Sequence, residues 1–120
     1  MSRSIMIIED DIELRKICRH ALEKVGYEVI DTSDGAWALE QMKHTMPDAI
    51  LLDLLMPHVN GQMILDELDN YPNRDQVKII LLTAHPNYRA KISTDQIDLF
   101  LTKPVQVGEL RDKVRELLGD

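Results

Sequence analysis

The sequence predicts an α/β fold, a mostly parallel five-stranded sheet with helices on both faces. Three observations predict it. Five short apolar runs recur along the chain, helical stretches separate them, and each run stops abruptly at polar or turn-forming residues. Runs this short suit strands buried on both faces and are too brief for typical helices.

Ile5 to Ile8 is the first strand, and it runs into Glu9-Asp10-Asp11. Leu14, Ile17, Cys18, Ala21, Leu22 and Val25 follow at spacings of three and four, which marks an amphipathic helix that Gly26 is placed to end. Tyr27 to Ile30 is a short second strand. Ser33 or Asp34 can cap a helix that turns Leu39 and Met42 inward and fades before Pro47. Ala49 to Leu52 is the third strand and ends on Asp53; Pro57 and Gly61 then break the pattern. A helix from about Asn60 carries Ile64, Leu65 and Leu68 on one face and closes at Tyr71-Pro72-Asn73.

Val77 to Leu82 is the fourth strand, ending in Thr83-Ala84. His85 to Gln96 is the weakest helical stretch. Tyr88 and Ile92 are its only bulky apolar residues at helical spacing, and Ser93-Thr94-Asp95 disfavours its continuation. Asp98 to Thr102 forms the fifth strand, before Lys103-Pro104. Val107, Leu110, Val114, Leu117 and Leu118 define a final helix with Gly119 past its end. Right-handed crossovers and short connections leave few topologies, of which the flavodoxin-like order 2-1-3-4-5 suits this size. Residues 1–120 read as one domain.

Composition narrows the function. With 44% apolar residues and a formal net charge of −7, the chain is expected to be globular and not to grip nucleic acid or an anionic membrane by bulk charge. No apolar stretch reaches the length of a membrane span, and Ile5 to Ile8 is too short for a signal-peptide core, so a cytoplasmic location is expected. The single cysteine, Cys18, has core spacing.

The residues that end the strands carry the chemistry. In a parallel sheet all the strand ends open on one edge, where ligands bind. Glu9 and Asp10, Asp53, Thr83 and Lys103 would therefore face one crevice. Clustered carboxylates repel one another unless a cation joins them, and an all-oxygen set with room for water suits Mg²⁺. A lysine and a hydroxyl beside such an ion can hold a transferring phosphoryl group, and Asp53 on the central strand is the best-placed nucleophile.

With these residues in view, the chain resembles, over essentially its whole length, the receiver domain of two-component response regulators. The resemblance rests on Ile7-Ile8-Glu9-Asp10-Asp11, on Leu51-Leu52-Asp53-Leu54-Leu55-Met56-Pro57 with Gly61, on Leu82-Thr83-Ala84, and on Phe100-Leu101-Thr102-Lys103-Pro104. It implies that Asp53 accepts phosphate from the phosphohistidine of a sensor histidine kinase or phosphotransfer protein. It implies that Glu9 and Asp10 hold Mg²⁺ with Asp53 and the backbone carbonyl of Leu55, Asp10 more directly than Glu9. Thr83 and Lys103 would contact phosphoryl oxygens, and Lys103-Pro104 would be a cis peptide. Thr83 and Phe100 would shift inward together and change the face of the fourth helix, fifth strand and fifth helix, controlling a downstream partner or an output domain. A bulky Leu55 would shield the phosphoryl group and slow its hydrolysis, while His85 reads as a solvated loop residue.

Other residues have plainer readings. Asp11 starts the first helix. Trp37 and Tyr88 are too scattered to stack bases, and His20, His44 and His58 lack metal-ligand spacing. Met6, Met42, Met56 and Met63 are expected in the core, and Glu109 to Glu116 forms a solvated charged face. A phosphohydrolase would want an acid two residues after the nucleophile, where Leu55 stands. A flavin or nucleotide carrier would want a glycine-rich phosphate loop.

Overall fold

In the computed structural model, which describes residues 3–54, 56, 61–84 and 94–120, five parallel strands form one sheet in the order β2-β1-β3-β4-β5. These are β1 (Ser4–Ile8), β2 (Glu28–Thr32), β3 (Ala49–Asp53), β4 (Lys78–Thr83) and β5 (Leu99–Thr102). Four α-helices lie among the described residues: α1 (Ile12–Lys24), α2 (Gly35–His44), α3 (Gly61–Leu68) and α4 (Val107–Leu118). The fold class and strand order expected from the sequence are those observed. Most of the weak helical stretch, with His85, Tyr88 and Ile92, lies outside the described residues, as do Leu55, Pro57, His58 and Asn60; its end, Thr94–Gln96, is a single 3-10 turn.

The apolar runs are continuous because both faces of the sheet are covered. Met6, Ile8, Ile50, Leu52, Ile79 and Leu81 point to one side, where Met42 of α2 and Ile64, Leu65 and Leu68 of α3 meet them. Ile5, Ile7, Leu51, Ile80 and Leu82 point to the other, against Cys18 and Leu22 of α1 and Leu110, Val114 and Leu118 of α4. β3, at the centre, is buried at all five positions. Asp53 therefore stands at the end of the most enclosed strand.

Several expectations need correction. Ile17 and Val107 have helical spacing but are 49% and 41% exposed, because they sit at the edges of the apolar stripes. Met6 and Met42 are buried and Met56 packs partly on the core, but Met63 is 60% exposed and is not core filler. β2 starts one residue after Tyr27 and runs on to Thr32, since an edge strand tolerates the polar Asp31. Buried Cys18 behaves as a core residue, its thiol pushed up to about 11 chiefly by burial.

Candidate functional site

The first two acidic residues are positioned by the passage from β1 into α1. The Glu9 amide donates to the Thr32 carbonyl at 3.0 Å, so β1 stays paired with β2 one residue beyond its end. Asp11 caps α1, its Oδ1 accepting from the Glu13 and Leu14 amides at 3.0 and 3.2 Å. That engagement leaves Glu9 and Asp10 to face the crevice. One carboxylate oxygen from each of Glu9, Asp10 and Asp53 lies within 4.8 Å of the other two.

Asp53 is held by the sheet. It pairs in register with Leu82 of β4, and the following Leu54 amide donates to the Leu82 carbonyl at 3.0 Å. The chain returns at Gly61, whose amide donates to the Leu54 carbonyl at 2.7 Å. A Cβ at Gly61 would lie 2.9 Å from Leu54 Cα and 3.1 Å from the Asp53 carbonyl oxygen, so the start of α3 packs directly on the backbone that carries Asp53.

Lys103 follows the end of β5 directly and is joined to Pro104 by a cis peptide bond. Its amide donates to the Thr83 carbonyl at 2.8 Å, which ties the ends of β4 and β5 together. Its ammonium lies 2.8 Å from Glu9 Oε1 and 3.2 Å from Asp53 Oδ2. Burial pushes this ammonium down, but its contacts with Glu9 and Asp53 outweigh that and hold it above the usual lysine range. Glu9 and Asp53 are only 2% and 4% exposed, so a nearby cation is required rather than optional. Thr83, buried at the end of β4, is the residue after Asp53's register partner.

The charges do not balance. Three carboxylates and one ammonium leave an excess of two negative charges in the crevice. The Asp10 carboxyl is held above the usual range, first by its hydrogen bond with Glu9, then by burial and by the Glu9 charge. Among the described residues Glu9 Oε1 accepts no aligned hydrogen bond, so the Lys103 charge compensates it without the directionality of one. A hard divalent cation with oxygen ligands fits this donor set in charge and in kind. Leu55, whose carbonyl was expected to complete the set, lies outside the described residues.

Phe100 sits apart from this cluster. It is paired with Leu81 on the core-facing part of β5 and is half-buried against the α2–α3 side. Sequence reasoning missed Arg15. Its Nη1 donates to the Glu9 carbonyl at 2.9 Å while its Nε donates to Asp31 Oδ2 at 2.7 Å. The available signal was the charged stripe Asp11, Arg15, Arg19 and Glu23 at spacings of four, but nothing in the sequence ties that stripe to β2. The remaining expectations are plain: His20 and His44 are exposed on helices, and no helix among the described residues is long and apolar enough to cross a membrane.

Comparison with known proteins bears on this arrangement. Residues 5–115 match the family model of the response regulator receiver domain. The probable transcriptional regulator ycf27 of Porphyridium aerugineum is 33% identical over 95% of this chain and 47% of its own length, so the chain spans about half of that relative. The polar-differentiation response regulator DivK of Brucella ovis is 30% identical over 100% of this chain and 99% of its own length. Among solved structures, the receiver domain of sensor histidine kinase PA1611 from Pseudomonas aeruginosa PAO1 is similar at a TM-score of 0.88 and 26% identity, with all of both chains covered. That domain carries a magnesium ion coordinated in its active-site cleft.

Proposed function

The chain belongs to the response regulator receiver domain family of two-component signalling, and from that premise we propose that Asp53 is its phosphoacceptor. The donor is the phosphohistidine of a histidine kinase or phosphotransfer protein. The observation that carries the reading is the convergence of Glu9, Asp10, Asp53 and Lys103 at one rim, from three different strands and their loops.

In this reading an Asp53 carboxylate oxygen forms a bond to phosphorus as the bond from phosphorus to the donor imidazole nitrogen breaks, and the imidazole keeps the electron pair and takes up a proton. Glu9, Asp10 and Asp53, with the Leu55 carbonyl, would hold Mg²⁺. When bound, that ion neutralises charge on the phosphoryl oxygens and relieves the repulsion among the carboxylates. Lys103 is the cation that can leave Asp53 and pair with a phosphoryl oxygen, keeping the local charge compensated throughout. The Thr83 hydroxyl donates to another phosphoryl oxygen.

The output is a population shift. Phosphoryl oxygens favour the conformer that brings Thr83 close, and Phe100 moves inward with it. The Lys103–Thr83 backbone bond and the Leu81–Phe100 pairing support coupling between β4 and β5. The domain, residues 1–120, then works as a cytoplasmic switch on a downstream protein or an attached output domain, with no direct grip on nucleic acid or membrane. It is a signalling domain whose chemistry is confined to its own phosphorylation and dephosphorylation.

Borohydride trapping tests the assignment of the acceptor. Reduction after treatment with a small phosphodonor and Mg²⁺ should convert residue 53 alone to homoserine. Homoserine at another position, or none, contradicts it.

A further inference from the structure

The backbone of Glu9, which leads into the Glu9–Asp10 peptide, is held at both its amide and its carbonyl. On its N-terminal flank the Glu9 amide is tied to the Thr32 carbonyl of β2 at 3.0 Å. Its carbonyl receives the Arg15 guanidinium at 2.9 Å. Arg15 is itself fixed, since Asp31 of β2 accepts from its Nε at 2.7 Å and also pairs with Arg19. Arg15 and Asp31 are both only 16% exposed, so this is a largely enclosed ion pair rather than a solvated surface contact. Burial pushes the Asp31 carboxyl up, but the hydrogen bonds from Arg19 and Arg15 outweigh that and hold it below the usual range.

This peptide joins two carboxylates with different support. Glu9 is buried against Lys103, whereas Asp10 is exposed and takes its direction from its backbone and from its hydrogen bond with Glu9. A twist about the Glu9 Cα–C bond would carry Asp10 away from Asp53, whereas Glu9 itself stays tied to Thr32 through its amide and to Lys103 through its carboxylate. We propose that Arg15, anchored by Asp31, is a positioning residue that locks the peptide plane between Glu9 and Asp10 and so pre-arranges the divalent-cation pocket. The inference rests on the reading of Glu9, Asp10 and Asp53 as cation ligands. Residues that orient ligands in this way typically contribute about ten- to a hundredfold to metal affinity.

Two effects of removing Arg15 have opposite signs, which makes the inference decidable. Loss of a positive charge near an acidic pocket favours a cation and tightens binding. Loss of the clamp weakens it. The clamp is inferred to dominate, because the Arg15 charge is offset within the group of Arg15, Arg19, Asp31 and Glu23, in which two guanidiniums face two carboxylates.

The test is Mn²⁺ binding to the metal-free chain, read as free Mn²⁺ by electron paramagnetic resonance. Arg15→Met should bind about tenfold more weakly than the native chain, and Arg15→Lys should recover part of the loss. In the Asp31→Asn background the Arg15→Met effect should shrink, because the anchor is already gone. Arg74→Met, which removes a comparable contact with Asp69 and the Gln96 carbonyl on the α3 side, controls for lost stability and should leave affinity unchanged. Native or tighter affinity in Arg15→Met overturns the proposal, as does an equal loss in Arg74→Met. Should Arg15→Met fail to fold, Asp31→Asn decides: a weakened affinity supports the clamp and an unchanged one overturns it. A native chain that binds no Mn²⁺ overturns the cation-site reading itself.

Discussion

The Lys103 ammonium stands 3.2 Å from Asp53 Oδ2, although β4 separates the strands that carry the two residues. The same ammonium reaches Glu9, the residue after β1, at 2.8 Å. One side chain thus lies within ion-pair distance of two buried carboxylates from different parts of the sheet edge.

Lys103→Met should therefore destabilise the metal-free chain at neutral pH. Removing one partner of a buried pair leaves a charge without compensation; because water reaches Lys103, the cost should be about 2 kcal/mol, below the range for fully buried pairs. Urea unfolding in the presence of a chelator measures it, and Mg²⁺ should restore part of the loss. Unchanged stability would mean that the carboxylates are compensated in another way.

Asp10→Asn should act in the opposite sense. Crowding against Glu9 raises the Asp10 carboxyl, so its charged form is disfavoured in the fold and its ionisation at neutral pH costs stability. The variant should unfold at a higher urea concentration without metal, yet lose the stabilisation that Mg²⁺ gives the native chain. A lower midpoint without metal would contradict the crowding argument.

Gly61→Ala should disturb the backbone beneath Asp53. The added Cβ meets main-chain atoms of Asp53 and Leu54, which cannot swing aside as a flexible side chain would. Overpacking of this kind costs about 1–3 kcal/mol, readable by thermal unfolding. An unperturbed melting temperature would show that α3 is free to shift outward.

The opposite end of the fold has its own pH signature. The Tyr27 hydroxyl donates to Asp120 Oδ2 at 2.8 Å, joining the residue before β2 to the second residue past α4. Burial, reinforced by this bond and by the Asp120 charge, pushes the phenol up from 10.0 to about 12. Between those values the unfolded chain has released the proton and the folded chain keeps it, so stability falls as pH rises from 10.0 to about 12, while below that window the Tyr27 contribution is present in full and does not vary with pH. Tyr27→Phe should flatten this alkaline limb in urea unfolding and remove one late-titrating phenol from the ultraviolet absorbance. An alkaline limb identical to the native one would contradict the assignment.

Much of the fold was legible because the apolar runs report two covered faces directly. Ile5 to Ile8 and Ala49 to Asp53 could hardly be anything but central strands. The crevice was legible for the same reason, since a parallel sheet sends Glu9, Asp10, Asp53, Thr83 and Lys103 to one edge whatever the details of packing. Exposure at the margins was not legible. Spacing alone places Ile17 and Val107 inward, whereas at the edges of their apolar stripes they stay 49% and 41% exposed. Arg15 and Asp31 were hidden for a related reason: their pairing joins a helix to a neighbouring strand, and no local pattern encodes a contact of that kind.

Intact mass of the native chain after incubation with a small phosphodonor and Mg²⁺ tests the central claim most directly. A single phosphoryl adduct should form, and it should be absent from Asp53→Asn and from samples in which the metal is chelated. An adduct that persists in Asp53→Asn, or a native chain that stays unmodified under these conditions, would contradict the assignment of Asp53 as the acceptor.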